Sequence, residues 1–234
     1  SSAKPSKENF AKPELPHMEH LRRAAEEGDT DAQNKLGHAY CYGDGVEKDN
    51  KKKAIEWYEK AAEQGHAQAQ CNLGIMYDQG QGVGVNYKKA VKWYKKAAEQ
   101  GLADAQYNLG GMYAQGQGVN VNHKKAFKWY EKAAQQGHDN KAQYNLGVMY
   151  ENGDGVDQSD SMAMRWYAKA AAQGHEDAQA RIAAILAKRR SSSAAAAAES
   201  STTSGDRSGG EQEQEKKEKK KRKKAGGSKK KRNG

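Results

Sequence analysis

One dipeptide, Trp-Tyr, recurs along this 234-residue chain at a nearly constant interval and accounts for every tryptophan in it. Successive tryptophans are separated by 36, 36 and 37 residues, and each is followed by Lys-Ala-Ala and then by Gln-Gly. The four tryptophans are Trp57, Trp93, Trp129 and Trp166. Self-similarity with a period of about 20–50 residues indicates a solenoid, because a single unit cannot bury its own apolar face.

Each unit contains two segments with helical periodicity, which we call the A helix and the B helix. Ala69, Leu73 and Tyr77 recur every four residues in one A helix, and Ala90, Trp93 and Ala97 form a comparable stripe in the B helix that follows it. A residue suited to an N-cap precedes every B helix. These residues are Asn50, Asn86, Asn122 and Ser159. The pattern predicts an all-α chain of helix pairs.

A glycine follows the leucine in every A helix, although glycine within a helix costs about 1 kcal/mol relative to alanine. The four glycines are Gly37, Gly74, Gly110 and Gly147. Because this loss of helix stability recurs at the same position of every repeat, we expect a favourable contact there to offset it. We therefore expect a neighbouring helix to approach closely at these positions, beneath the Trp-Tyr pair.

The full pattern is A-x-x-x-L-G-x-x-Y-x-x-G-x-G-V, followed by K-A-x-x-W-Y-x-K-A-A-x-Q-G. It resembles the Sel1-like repeat family, which is related to the tetratricopeptide solenoids, and it covers roughly residues 18–187. The resemblance implies an α/α superhelical solenoid of four full repeats, with terminal half repeats at about 21–28 and 178–186. It also implies a protein-interaction scaffold whose A helices line a concave face.

Charge divides the chain into a nearly neutral body and a basic tail. The formal net charge is +10, but residues 216–234 hold twelve Lys and Arg against one acidic residue, which leaves about −1 for residues 1–215. The terminal segments 1–15 and 191–234 contain few large apolar residues, so they cannot bury a core. We therefore predict a solenoid over residues 16–190, flanked by disordered segments at 1–15 and 191–234.

The basic tail permits several functions. Its lysine-rich clusters resemble a nuclear localisation signal, which would engage an import receptor. The clusters comprise Lys219, Lys220, Lys221, Arg222, Lys223, Lys224, Lys229, Lys230, Lys231 and Arg232. Because no aromatic residue follows Tyr167, nucleic acid would be held weakly and through phosphates alone. Contact with acidic lipid and a purely solubilising role are further alternatives.

No motif predicts catalysis, a cofactor or a metal ion. The Gly-x-Gly-Val segments superficially resemble phosphate-binding loops, but they recur four times without a preceding strand, which is typical of turns between helices. Cys41 and Cys71 would be offset by about 10 Å along neighbouring helices, beyond the reach of a disulfide. Reduced thiols favour an intracellular protein, nuclear or cytoplasmic, and no apolar run is long enough to span a membrane.

The candidate binding surface consists of A-helix residues beside the repeated pattern. Amides recur there, and they can both donate and accept hydrogen bonds along a peptide backbone, while two tyrosines would add apolar contact. The predicted set is Lys35, Asn72, Asn108, Asn145, Gln79, Gln115, Asn152, Tyr107 and Tyr144, and Tyr42 occupies the position equivalent to Gln79. Ordinary solvated side chains are the alternative. We expect a monomer that binds an unidentified protein or peptide; the alternative is a nucleic-acid-associated protein acting through its tail.

Overall fold

A computed structural model describes residues 16–46, 50–137 and 139–196 of the chain. The segment 1–15 and the basic clusters, for which disorder was predicted, lie outside these residues. The chain divides into two compact units, residues 1–179 and 180–234. Only the first unit contains the complete helix pairs that concern the site.

The described residues are helical throughout, apart from short connections, and contain no strand. In chain order the helices are α1 (Pro16–Glu26), α2 (Thr30–Tyr42), α3 (Lys51–Glu63), α4 (Ala67–Gln79), α5 (Tyr87–Glu99), α6 (Ala103–Gln115), α7 (His123–Gln135), α8 (Asn140–Asn152) and α9 (Asp160–Ala172). Residues 176–196 are also helical. The A helices α2, α4, α6 and α8 pack against the B helices α3, α5, α7 and α9, which confirms the all-α solenoid of four full repeats with flanking halves.

The predicted N-caps are confirmed. The side chain of each capping residue accepts a hydrogen bond from the backbone N–H three residues further on, in helices α3, α5, α7 and α9. Each A helix ends at a glycine in the left-handed conformation, where a side chain would strain the backbone. These glycines begin the Gly-x-Gly turns, which confirms the interpretation of that motif as an interhelical turn.

The glycines inside the A helices make room for a tyrosine ring. A Cβ atom built on Gly74 would lie 2.6 Å from ring atoms of Tyr94, and the three equivalent glycines face Tyr58, Tyr130 and Tyr167 in the same way. The expected close approach is therefore confirmed, and the second residue of the Trp-Tyr pair makes it. The tryptophans are only half-buried. Each has a lysine ammonium over its ring, at 3.8–4.4 Å from the centroid.

A ladder of buried glutamines joins successive helices. Gln70 donates its Nε2 hydrogen to the carbonyl of Ala62, near the end of the preceding B helix, and accepts from Gln100 at the end of the following one, at 3.0 and 2.8 Å. The ladder glutamines are Gln33, Gln70, Gln106 and Gln143, each at most 5% exposed. Gln33, Gln70 and Gln106 each donate to a carbonyl and accept from a later glutamine, and Gln143 accepts from Gln173, so their amides can be buried at little cost.

Residues 191–196, for which disorder was predicted, continue the last helix. The hydroxyls of Ser191 and Ser192 donate to the carbonyl of Lys188, so these serines bond within the helix that they extend. The alanines from 194 onwards have the highest intrinsic helix propensity. The helix therefore extends beyond the last apolar residues.

Candidate functional site

A pocket of about 780 Å³ lies between α1, α2 and α4, in the first unit. Two residues of the predicted binding surface, Lys35 and Asn72, line it together with Tyr42. The remainder of the wall includes Met18 and Leu21 from α1. The structure thus brings together the N-terminal part of the predicted surface.

The pocket combines an aromatic anchor with charged groups. Tyr42 is 65% exposed, and its ring centroid lies 4.4 Å from that of His38. The Nδ1 atom of His38 is 3.8 Å from a carboxylate oxygen of Asp44, and Lys35 contributes an exposed cation to the same wall. An exposed tyrosine beside apolar and charged side chains is typical of a surface that holds one apolar group in a defined orientation.

Amides line the side of the pocket formed by α2 and α4. The side chain of Asn72 donates to Asn34 at 3.1 Å, and its own carbonyl oxygen accepts from Gln68 at 3.2 Å. These three residues all line the pocket. Because each amide oxygen has two lone pairs and each NH₂ two hydrogens, the bonds within the protein leave further donors and acceptors for a ligand.

The equivalent asparagines in the next two units also face neighbouring helices, but their partners there are a thiol and tyrosine hydroxyls. Asn108 faces the thiol of Cys71, and Asn145 faces the hydroxyls of Tyr107 and Tyr130. Burial raises the pKa of the Cys71 thiol to about 12, so it stays protonated at neutral pH. Asn108 and Asn145 are half-buried and do not line the pocket.

The remaining predicted residues are not brought into the pocket. Tyr107 and Tyr144 are half-buried, with ring centroids 5.7 Å from Tyr130 and 5.3 Å from Tyr167. The Tyr144 ring also stacks on His175 at 4.1 Å. The exposed residues Gln79, Gln115 and Asn152 each end an A helix, at the edge where the Gly-x-Gly turns begin. The predicted tail residues lie outside the described part of the chain.

The sequence interpretation missed most of the residues that line the pocket, among them Met18, Leu21, Asn34 and His38. Met18 and Leu21 belong to the initial half repeat, which carries no Trp-Tyr pair and so gave little reason to place them at a surface. One signal was present, because Tyr42 stands where the three other full units have an amide. That departure from the repeat occurs at the most exposed aromatic residue of the pocket.

Cys41 and Cys71 are buried and do not form a disulfide. Within residues 16–46, 50–137 and 139–196, no three His, Cys, Asp or Glu side chains cluster closely enough to hold a metal ion. None of the helices in these ranges is both long and apolar enough to cross a membrane.

Comparison with known proteins gives one family. The Sel1 repeat pattern matches residues 18–29, 30–66, 67–102, 103–138 and 140–175. A Sel1 repeat protein from Oxalobacter formigenes is 43% identical, with a TM-score of 0.66 over 71% of this chain and 68% of its own. The antigen c5321 of uropathogenic Escherichia coli, which displays an SLR fold, is 45% identical, with a TM-score of 0.65 over 68% of this chain and 33% of its own.

No curated protein sequence matches the chain. Repeats of this type commonly form protein-interaction scaffolds and are generally not catalytic. The matched segments follow the helix pairs of the structure, from the half repeat in α1 to the end of α9. The chain belongs to the Sel1 repeat family.

Proposed function

We propose that this protein is a non-enzymatic scaffold that binds a segment of a partner protein in the pocket between α1, α2 and α4. The single observation that carries the proposal is Tyr42, an aromatic ring 65% exposed in a pocket of about 780 Å³ lined by amides. Aromatic residues in such settings frequently provide much of the binding free energy at protein interfaces.

The chemistry of the wall indicates the kind of segment that fits. Leu21 and Tyr42 offer an apolar contact for one side chain of the partner, whereas Met18 is only 3% exposed. Asn34 and Asn72 lie where they can hydrogen-bond a peptide backbone, and Lys35 favours a nearby acidic group. An apolar residue next to an acidic one, within an exposed peptide, satisfies these requirements.

The test is a selection of peptides from a displayed library on the full-length chain, followed by titration of the enriched peptide. Replacing Tyr42 by Ala should weaken binding at least tenfold, because an interfacial aromatic hot spot contributes about 2 kcal/mol or more. Tyr87, exposed at the start of α5, gives a matched control, since Tyr87→Ala removes an exposed tyrosine outside the pocket. Equal affinity for the two variants would exclude the pocket as the binding site.

We further propose that the basic tail directs the protein to the nucleus through an import receptor. The support is the concentration of twelve basic residues in residues 216–234. A fluorescent fusion lacking these residues should move to the cytoplasm and still bind the selected peptide. A tail-less fusion that stays nuclear would contradict the proposal.

Nucleic-acid association is the alternative function, favoured by the same concentration of charge. If the tail holds phosphates, the full chain should bind RNA with an affinity that falls steeply as salt increases, and the tail-less chain should not. RNA binding that persists without residues 216–234 would contradict the role of the tail in this alternative.

A further inference from the structure

The outer surfaces of the B helices carry ordered rows of lysines, although the body is nearly neutral in sum. Lys52, Lys88 and Lys124 occupy one register in three successive B helices, and all are exposed. A second exposed row lies one helical turn further on, at Lys92, Lys128 and Arg165. Together α5 and α7 hold nine lysines and two glutamates, a net charge of +7.

The lysines at the starts of these helices are electrostatically unfavourable. Helices α3, α5 and α7 have no acidic residue in the first turn, and lysine occupies the second and third positions of each. The amino end of a helix carries a partial positive charge, which disfavours cations there. A residue that is unfavourable for its helix, yet recurs at the same position in three units, is expected where the surface has a function.

Exposed apolar residues occur at the same edge. Val85 and Val121 are 55% and 56% exposed in the connections that lead into α5 and α7, and Tyr87 is 38% exposed. A Cβ atom on Gly118 would lie 2.5 Å from the carbonyl oxygen of Tyr87, so the turn that precedes Val121 packs directly onto the start of α5. Val85, Tyr87 and Val121 are thus exposed at the same edge of two adjacent repeats, and we call these three residues the turn-edge patch.

The patch is specific to the second and third units. In the fourth unit, Gln158 takes the place of the valine and Asp160 begins the helix. The same turn geometry can thus carry polar and acidic residues. The fold alone does not require valine, tyrosine and lysine at these positions.

We propose that the turn-edge patch, with Lys88 and Lys124 beside it, binds an anionic lipid surface. Apolar side chains that project from turns and are surrounded by lysines suit the membrane interface, where the rings and methyl groups enter and the ammonium groups meet the headgroups. Base stacking is disfavoured, because the Trp93 and Trp129 rings lie beneath Lys96 and Lys132. The proposal is independent of the peptide pocket.

The experiment measures sedimentation of the full-length chain with vesicles of phosphatidylcholine, alone or mixed with phosphatidylserine. Lys124 and Lys141 form a matched pair, because each is exposed at the second position of its helix, α7 or α8. Lys124, at the start of a B helix, and Lys141, at the start of an A helix, lie at opposite ends of the helix pairs, so only Lys124 is at the edge that carries the patch. Lys124→Gln should weaken binding to the mixed vesicles about fivefold, and Lys88→Gln with Lys124→Gln about 25-fold, while Lys141→Gln should have little effect.

A second variant tests the apolar contribution. Replacing Val85 and Val121 by Ser should also lower the vesicle-bound fraction, with helicity unchanged by circular dichroism. Equal binding of the Lys124→Gln and Lys141→Gln variants would overturn the proposal and leave lipid binding to the tail. Polyglutamate serves as a soluble acidic probe. If the lysine substitutions weaken its binding as much as they weaken vesicle binding, and the valine substitutions change neither, the surface binds acidic polypeptide. The lipid proposal then fails.

Discussion

Two adjacent glycines in α6 should respond in opposite ways to the same substitution. A Cβ atom on Gly111 would meet only the Tyr130 hydroxyl at 3.6 Å, an ordinary contact, so Gly111→Ala should stabilise the protein by about 1 kcal/mol. A Cβ atom on Gly110 would lie 2.8 Å from Tyr130 Cδ1 and 2.9 Å from Cε1. The ring, only 6% exposed, has little room to withdraw.

The size of the Gly110 effect follows from these distances. To restore a contact of 3.4 Å, the ring must move by about 0.6 Å, and overpacking of this kind typically costs 1–3 kcal/mol. Several ring atoms clash at once, so we take the cost as about 2–3 kcal/mol. After the gain of about 1 kcal/mol in helix propensity, Gly110→Ala should destabilise the protein by about 1–2 kcal/mol.

The assay is urea unfolding of the two variants followed by circular dichroism, with the denaturation midpoints compared at equal slope. A double-mutant cycle with Tyr130→Leu gives the control. Without the ring, Gly110→Ala should become stabilising, as Gly111→Ala is, and the coupling free energy should lie at about 2–3 kcal/mol. If Gly110→Ala stabilises the protein in the presence of Tyr130, the argument that the tyrosine requires glycine there is refuted.

Three further predictions concern the same core. Tyr94→Ala should cost about 3–5 kcal/mol because the ring is 1% exposed, whereas Trp93→Ala should cost less because the indole is half-buried; equal midpoints in urea would contradict this order. Burial raises the pKa of Asp78, whose carboxylate accepts from the Tyr94 hydroxyl, so ionisation disfavours the fold and stability falls as pH rises through the raised pKa. Asp78→Asn should therefore be more stable than the parent at pH 7 and equal to it once Asp78 is protonated, which urea midpoints across a pH series would test. Cys71, 0% exposed and with a pKa raised to about 12, should react with a thiol reagent only after unfolding; rapid labelling of the folded chain would contradict its burial.

The helix pairs could be predicted because local sequence determines them. The caps at Asn50 and Ser159 and the glycines beneath the tyrosines are repeated signals with a direct steric or hydrogen-bonding cause. The sequence did not indicate which residue of each Trp-Tyr pair is the more buried, because a lysine can cover part of an indole at the surface.

The site was less predictable because it depends on neighbours distant in sequence. Asn72, Asn108 and Asn145 share one register, yet they face Asn34, Cys71 and Tyr107 respectively, and these partners determine what each amide does. The lysines concentrated on α5 and α7 were also not predicted. Residues 1–215 have a net charge of about −1, and a net charge does not show where the individual charges lie.

The glutamine ladder also bears on how a gene for such a protein can grow. Each ladder glutamine needs a carbonyl from the helix before its own and an amide from the end of the helix after it, as Gln106 obtains from Ala98 and Gln136. A tandem duplication of one whole repeat supplies both partners at each new junction. Duplication of a single helix would place a buried amide opposite the wrong partner, at a cost of about 1–3 kcal/mol. Descendants of this gene should therefore lengthen or shorten by whole helix pairs, and recombination between repeats should leave proteins that fold.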